Sequence, residues 1–105
     1  MVRGDVHEIA LPRKRGHAQH GRRYAVVVQA DDLLALSTVL VCPTSQSAPP
    51  ATFHPEVSLT DEPTRVLCEM ASAVDARKLG AQIGHLTLEE IATIDDALGL
   101  VLDLR

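Results

Sequence analysis

Two apolar runs decide the fold: Tyr24-Ala25-Val26-Val27-Val28-Gln29 and, after eight residues, Thr38-Val39-Leu40-Val41-Cys42. Both are short, β-branched and free of helical spacing, so each predicts a buried strand. Pro43 is expected to stop the second, and Asp31 to Leu36 reads as one helical turn capped by Asp31. Upstream, Asp5 to Leu11 alternates like a first strand that ends at Pro12. Downstream, Thr44 to Pro55 is a Ser-, Thr- and Pro-rich loop. Glu56 to Leu59 predicts a short strand and Thr60 to Pro63 its turn. Thr64 to Met70 predicts another strand, Val74 to Arg77 a helical turn, and Gln82 to Leu86 an extended segment. The last element is a helix. Thr87-Leu88-Glu89-Glu90 has the capping-box pattern. Leu88, Ile91, Ile94, Leu98, Val101 and Leu102 then form one apolar stripe, with Glu89, Glu90, Asp95 and Asp96 facing water. The expected class is mainly β (α+β): a small, strongly bent antiparallel sheet or partly open barrel of five to seven short strands, closed by the C-terminal helix.

At 105 residues the chain suits a single domain over residues 1–105. Apolar residues make up 46% but aromatics only 2%. The core must therefore be aliphatic, and the composition argues against a sequence-tolerant stacking platform for single strands, which needs several rings. Cys42 and Cys68 read as small buried hydrophobes in a reducing compartment. No apolar stretch approaches the roughly 20 residues that span a bilayer. The N-terminus lacks an apolar signal region. The expectation is a cytoplasmic protein with no membrane partner.

Charge is unevenly spread. The chain has ten Lys and Arg against fourteen Asp and Glu, a net charge of -4. Five of the cations, Arg13, Lys14, Arg15, Arg22 and Arg23, lie in the acid-free stretch Arg13 to Arg23, beside His17 and His20. No core has use for such a segment; a loop that meets phosphate does. His17 and His20 are accompanied by no further ligand cluster, so neither a metal nor a cofactor is expected. His7 and His54 read as surface residues, His85 as structural and Asp75 as a helix cap. Without other information Thr44 is simply a turn residue.

Five segments in register resemble one family: Arg3-Gly4-Asp5; Gly16 to Arg23 followed by Ala25 to Gln29; Thr38 to Ser45; Cys68-Glu69 with Val74-Asp75 and Ile83-Gly84; and Asp95 to Leu102. Together they are similar to the MazF/PemK (Kid) toxins of type II toxin–antitoxin modules. The resemblance implies an SH3-like, plasmid-maintenance-toxin-type barrel. It also implies a homodimer, metal-independent endoribonuclease activity on single-stranded RNA, and neutralisation by a cognate MazE/PemI-like antitoxin. Operator DNA would be met only through that antitoxin. It implies catalytic roles for Arg23, Thr44, His17 and Glu69. Tyr24, Ala18, Leu67 and Met70-Ala71-Ser72 depart from the family pattern. Arg65, two residues before Leu67, is the candidate replacement for the cation missing there.

These residue types suit the chemistry. RNA cleavage without metal needs a base for the 2′-OH, an acid for the leaving 5′-oxygen, and donors for the charge on phosphorus. Arg23 would stabilise the phosphorane, with proton donation as a further role, because its planar fork stays charged. His17 or Glu69 would be the base, and Thr44 a phosphate ligand. Gln19, Arg22, Ser45 and Gln46 would bind RNA, with Arg13, Lys14, Arg15 and Arg65 adding attraction. Two other readings stand beside this one. A CcdB-like toxin would bind a protein target such as DNA gyrase, although the chain ends in Leu102-Asp103-Leu104-Arg105, unlike the terminal Trp-Gly-Ile of CcdB. A weakly active member would act mainly in antitoxin binding and operon autoregulation.

Overall fold

A computed structural model of the chain describes residues 1–9 and 23–104. Seven strands and one α-helix follow in order: β1 (Asp5–Ile9), β2 (Arg23–Val27), β3 (Thr38–Ser45), β4 (Glu56–Leu59), β5 (Glu62–Val66), β6 (Ser72–Asp75), β7 (Leu79–His85) and α1 (Leu88–Val101). Short 3-10 turns occupy Asp31–Leu33, Cys68–Met70 and Ala76–Lys78. All pairings are antiparallel and run β4-β5-β3-β2-β1-β7, with β6 also on β3.

The aliphatic runs form β2 and β3, and apart from Leu40 their aliphatic side chains are buried on both faces. Val26 and Cys42 enter one apolar cluster with Val6, Val57, Val66 and, from α1, Ile94 and Ala97. Ala25, Val27, Val39 and Val41 enter a second cluster with Ile9. Neighbouring residues point to opposite faces of a strand, so an unbroken apolar run serves both clusters.

Pro43 does not stop β3, contrary to the sequence reading. It lies between Val41, where pairing with β6 ends, and Thr44, where pairing with β5 begins. A missing N–H is tolerated in that gap, and the Pro43 carbonyl still accepts from Leu67 N at 2.8 Å. Three further corrections concern local structure. Val74–Asp75 belongs to β6, and the helical turn follows it, with Asp75 as its cap. Ala30 precedes the Asp31–Leu33 turn without a side-chain cap, and Asp31 Oδ1 instead accepts from Arg3 N at 2.6 Å. β5 ends at Val66, and residues 68–70 turn instead of continuing as strand.

The helix begins as its capping box requires. Thr87 Oγ1 accepts from Glu90 N, and Glu90 accepts from Thr87 N at 2.9 Å. Its buried stripe is narrower than the sequence suggests: Ile94 and Ala97 are buried, while Leu88 is 84% exposed and Leu102 56%. Glu90 also accepts from Ser58 N at 2.9 Å, which ties α1 to β4.

Candidate active site

Arg23 opens β2 and Thr44 lies near the end of β3, which pairs with it. The pairing brings the two together. Arg23 Nη1 donates to the Thr44 carbonyl at 3.3 Å, and Thr44 Oγ1 donates to the Tyr24 carbonyl at 3.2 Å. The hydroxyl bond is long for an O–H donor, so Thr44 can turn toward a better acceptor. Thr44 is buried.

These residues line a groove of about 570 Å³. Ser45, Gln46 and Ser47 continue one wall beyond β3, and Leu59, Thr60, Glu62 and Thr64 of the β4–β5 hairpin form the other. The hairpin turn is tight. Leu59 pairs with Glu62, and Thr60 and Asp61 between them have φ of 51° and 63°. Two consecutive positive φ values match the strand twist of such loops, and for a β-branched Thr this backbone is strained. Gln46 Nε2 donates to Glu62 Oε2 at 2.7 Å across the groove, while Ser45 and Ser47 share a hydroxyl contact at 3.2 Å.

The other candidates are placed as follows. Glu69 lies in the 3-10 turn after β5, outside the groove lining. Its Oε2 accepts from His54 Nε2 at 2.6 Å. His54 is 6% exposed, so the surface reading of it is corrected. Its Nδ1 donates to the Pro49 carbonyl at 2.8 Å. That bond chiefly, together with Glu69, holds the imidazole above its ordinary range against the opposing effects of burial and Arg65. Arg65 is spent locally: Nη1 donates to the His54 carbonyl at 3.0 Å and Nη2 meets Glu56 at 3.5 Å. His17, Gln19, Arg22, Arg13, Lys14 and Arg15 lie outside the described residues.

Other polar groups serve the scaffold. His7 is buried, not on the surface, and its Nδ1 donates to the Gly80 carbonyl at 2.9 Å. His85 Nδ1 meets Asp5 Oδ1 at 2.7 Å, as expected of a structural histidine. Burial raises the Asp5 pKa, but the Val2 N–H and His85 outweigh it and leave the carboxyl below its ordinary range. Cys42 and Cys68 are both free and fully buried. The contact with Cys68, followed by burial, pushes the Cys42 thiol well up. Among the described residues, no three His, Cys, Asp or Glu side chains converge as a metal site would require.

The sequence reading missed Tyr24, Ser47, Leu59, Thr60, Glu62 and Thr64 as lining residues. No local signal places the β4–β5 hairpin against the end of β3; that is a matter of tertiary pairing.

Comparison with known proteins identifies the family and the fold. The model of the PemK-like, MazF-like toxins of type II toxin–antitoxin systems matches residues 2–102. A candidate toxin of Mycobacterium tuberculosis is 35% identical over 106 residues, covering 99% of both chains. Endoribonuclease MazF9 of the same organism is 32% identical over 115 residues, covering 99% of this chain and 98% of its own. Among solved structures, a mycobacterial endoribonuclease in complex with its cognate antitoxin superimposes with a TM-score of 0.82 at 17% identity, over 100% of this chain and 97% of that one. Fold and sequence agree over nearly the whole length: the chain belongs to the PemK-like, MazF-like toxin family of type II toxin–antitoxin systems.

Proposed function

We propose that this toxin is a metal-independent endoribonuclease that cleaves single-stranded RNA at specific sequences. The observation that carries the reading is the joining of Arg23 and Thr44 in one polar groove, in a chain 32% identical to an endoribonuclease. The Arg23 guanidinium holds the charge that builds on phosphorus. The Thr44 hydroxyl turns from the Tyr24 carbonyl to a phosphate oxygen. His17 or Glu69 takes the 2′-OH proton. The 2′-oxygen then bonds to phosphorus, the bond to the 5′-oxygen breaks, and that oxygen receives a proton. The products are a 2′,3′-cyclic phosphate and a 5′-hydroxyl. DNA has no 2′-OH and would bind without being cut. Gln19, Arg22, Ser45 and Gln46 contact the strand, and Arg13, Lys14, Arg15 and Arg65 attract it.

The same reading makes residues 1–105 one toxin domain, a cytoplasmic homodimer neutralised by its own MazE/PemI-like antitoxin. Operator DNA is reached through that antitoxin. Exposed Leu33, Leu36 and Leu40 supply apolar surface for a second copy.

The test is a long single-stranded RNA incubated with purified protein in EDTA. Fragments ending in 2′,3′-cyclic phosphate are expected. Arg23→Ala and Thr44→Val should each lower kcat by about 100- to 1,000-fold, the usual cost of one transition-state donor. Intact RNA at high enzyme concentration, or full activity in both variants, overturns the reading.

A further inference from the structure

We propose that His54 is a positioning residue for Glu69: a buried imidazolium that grips the carboxylate with one N–H and the Pro49 carbonyl with the other. The inference rests on the reading of Glu69 as a carboxylate that acts on RNA.

The geometry matches a ring with both nitrogens protonated. Nε2 is 2.6 Å from Glu69 Oε2 and Nδ1 is 2.8 Å from the Pro49 carbonyl. A backbone carbonyl and an ionised carboxylate can only accept, so both ring nitrogens must donate. Only the charged ring carries two N–H groups. The ring is 6% exposed, whereas the Glu69 side chain is 38% exposed. The carboxylate is thus held from its buried side and open to solvent on the other.

Among the described residues, the following groups bear on the ring. Glu69 faces it from the 3-10 turn and favours its proton. Arg65 of β5 donates to the His54 carbonyl, and its charge opposes that proton. The Phe53 ring meets it edge-on, with centroids 4.6 Å apart. Cys68 lies beside Glu69 in the same turn and is fully buried.

Space-filling does not account for such a group. An apolar side chain would fill the volume without the cost of burying a charge. What the imidazolium adds is a two-ended link. Pro49 belongs to the connection that begins with Gln46 and Ser47 of the groove lining, and Glu69 belongs to the 3-10 turn after β5. The link fixes the distance between these two parts, and small misplacements of a catalytic group are costly.

The link is also sensitive to pH. The folded ring holds its proton more tightly than an unfolded histidine, whose pKa is about 6.5. The pair of bonds is therefore complete at about pH 6.5, and it is broken as pH rises through the raised value. A neutral ring keeps one N–H, so one bond must go.

The experiment uses the full-length toxin and an RNA oligonucleotide spanning one mapped cleavage site, with kcat and KM measured across the neutral and alkaline range. His54→Ala should lose about 10- to 100-fold in kcat, the range seen when a supporting hydrogen-bond partner is removed, with KM changed less than about threefold. His54→Gln keeps two N–H donors and does not titrate. It should recover most of the rate and lose the alkaline decline of the wild type. Imidazole nitrogen NMR should show both ring nitrogens of His54 protonated at about pH 6.5, and Glu69→Gln should release one of them. Wild-type kcat and pH profile in His54→Ala, a change confined to KM, or a singly protonated ring overturns the proposal. If His54→Ala does not fold, the glutamine variant and the NMR titration decide. Full activity in Glu69→Gln defeats the assigned role of Glu69. An inactive Glu69→Gln beside a normal His54→Ala defeats only the role of His54.

Discussion

Gly4 shows how little room a single residue has. Its φ is 94°, in the region that favours glycine, and a Cβ there would lie 2.6 Å from Ile91 Cδ1. Its N–H donates to the Val27 carbonyl at 2.8 Å and its carbonyl accepts from Leu86 at 3.0 Å. The residue thus ties the start of β1 to β2 and to the connection between β7 and α1, on a backbone that disfavours a side chain. Gly4→Ala is expected to lower unfolding free energy by about 1–3 kcal/mol, as for other strained backbone positions, measured as a reduced urea midpoint at unchanged slope. Arg23 and Thr44 were singled out through the family resemblance, since local pattern alone makes Arg23 the end of a basic stretch and Thr44 a turn residue. His54 was not. Its role depends on Glu69, fifteen residues away and brought near by the β4–β5 turn. A lone histidine between Phe53 and Pro55 carries no mark of burial.

At the level of elements, local rules read well where the element makes its own bonds. Thr87 and Glu90 cap α1 without help from elsewhere, and the sequence alone announced it. Thr87→Ala should cost about 1 kcal/mol, read as a lower thermal midpoint with little change in the kinetics of RNA cleavage. Elements defined by partners read poorly. Pro43 looked like a stop because the switch of β3 from β6 to β5 is a tertiary fact. β6 looked helical because Ser72-Ala73-Val74-Asp75 has no strand signal apart from the edge of β3 that it meets. The stripe of α1 was overdrawn because periodicity reports which residues share a face, not how far the sheet beneath them extends. Leu88 and Leu102 share that face and are exposed.

Across the whole molecule the division of charge, +5 in Arg13 to Arg23 and -9 elsewhere, sets how RNA is approached. The acidic body repels a polyanion and the basic segment draws it in, so encounter should depend steeply on salt. Replacing Arg13, Lys14 and Arg15 together by Gln should reduce the slope of log KM against log salt and leave kcat within about twofold. A slope equal to the wild type's would exclude that segment from the encounter. The sheet itself has a mechanical polarity. β3 is bonded to β2 along one edge and to β6 and then β5 along the other. β4 has β5 on one side and, among the described residues, the Glu90 bond to Ser58 on the other. Amide protons of β3 can therefore exchange with solvent only in rare openings close to global unfolding, while those at the outer edge of β4 exchange through smaller fluctuations. The two walls of the groove differ accordingly: the Thr44 wall is a fixed anvil, and the Leu59–Glu62 wall is the one that can yield to admit a strand.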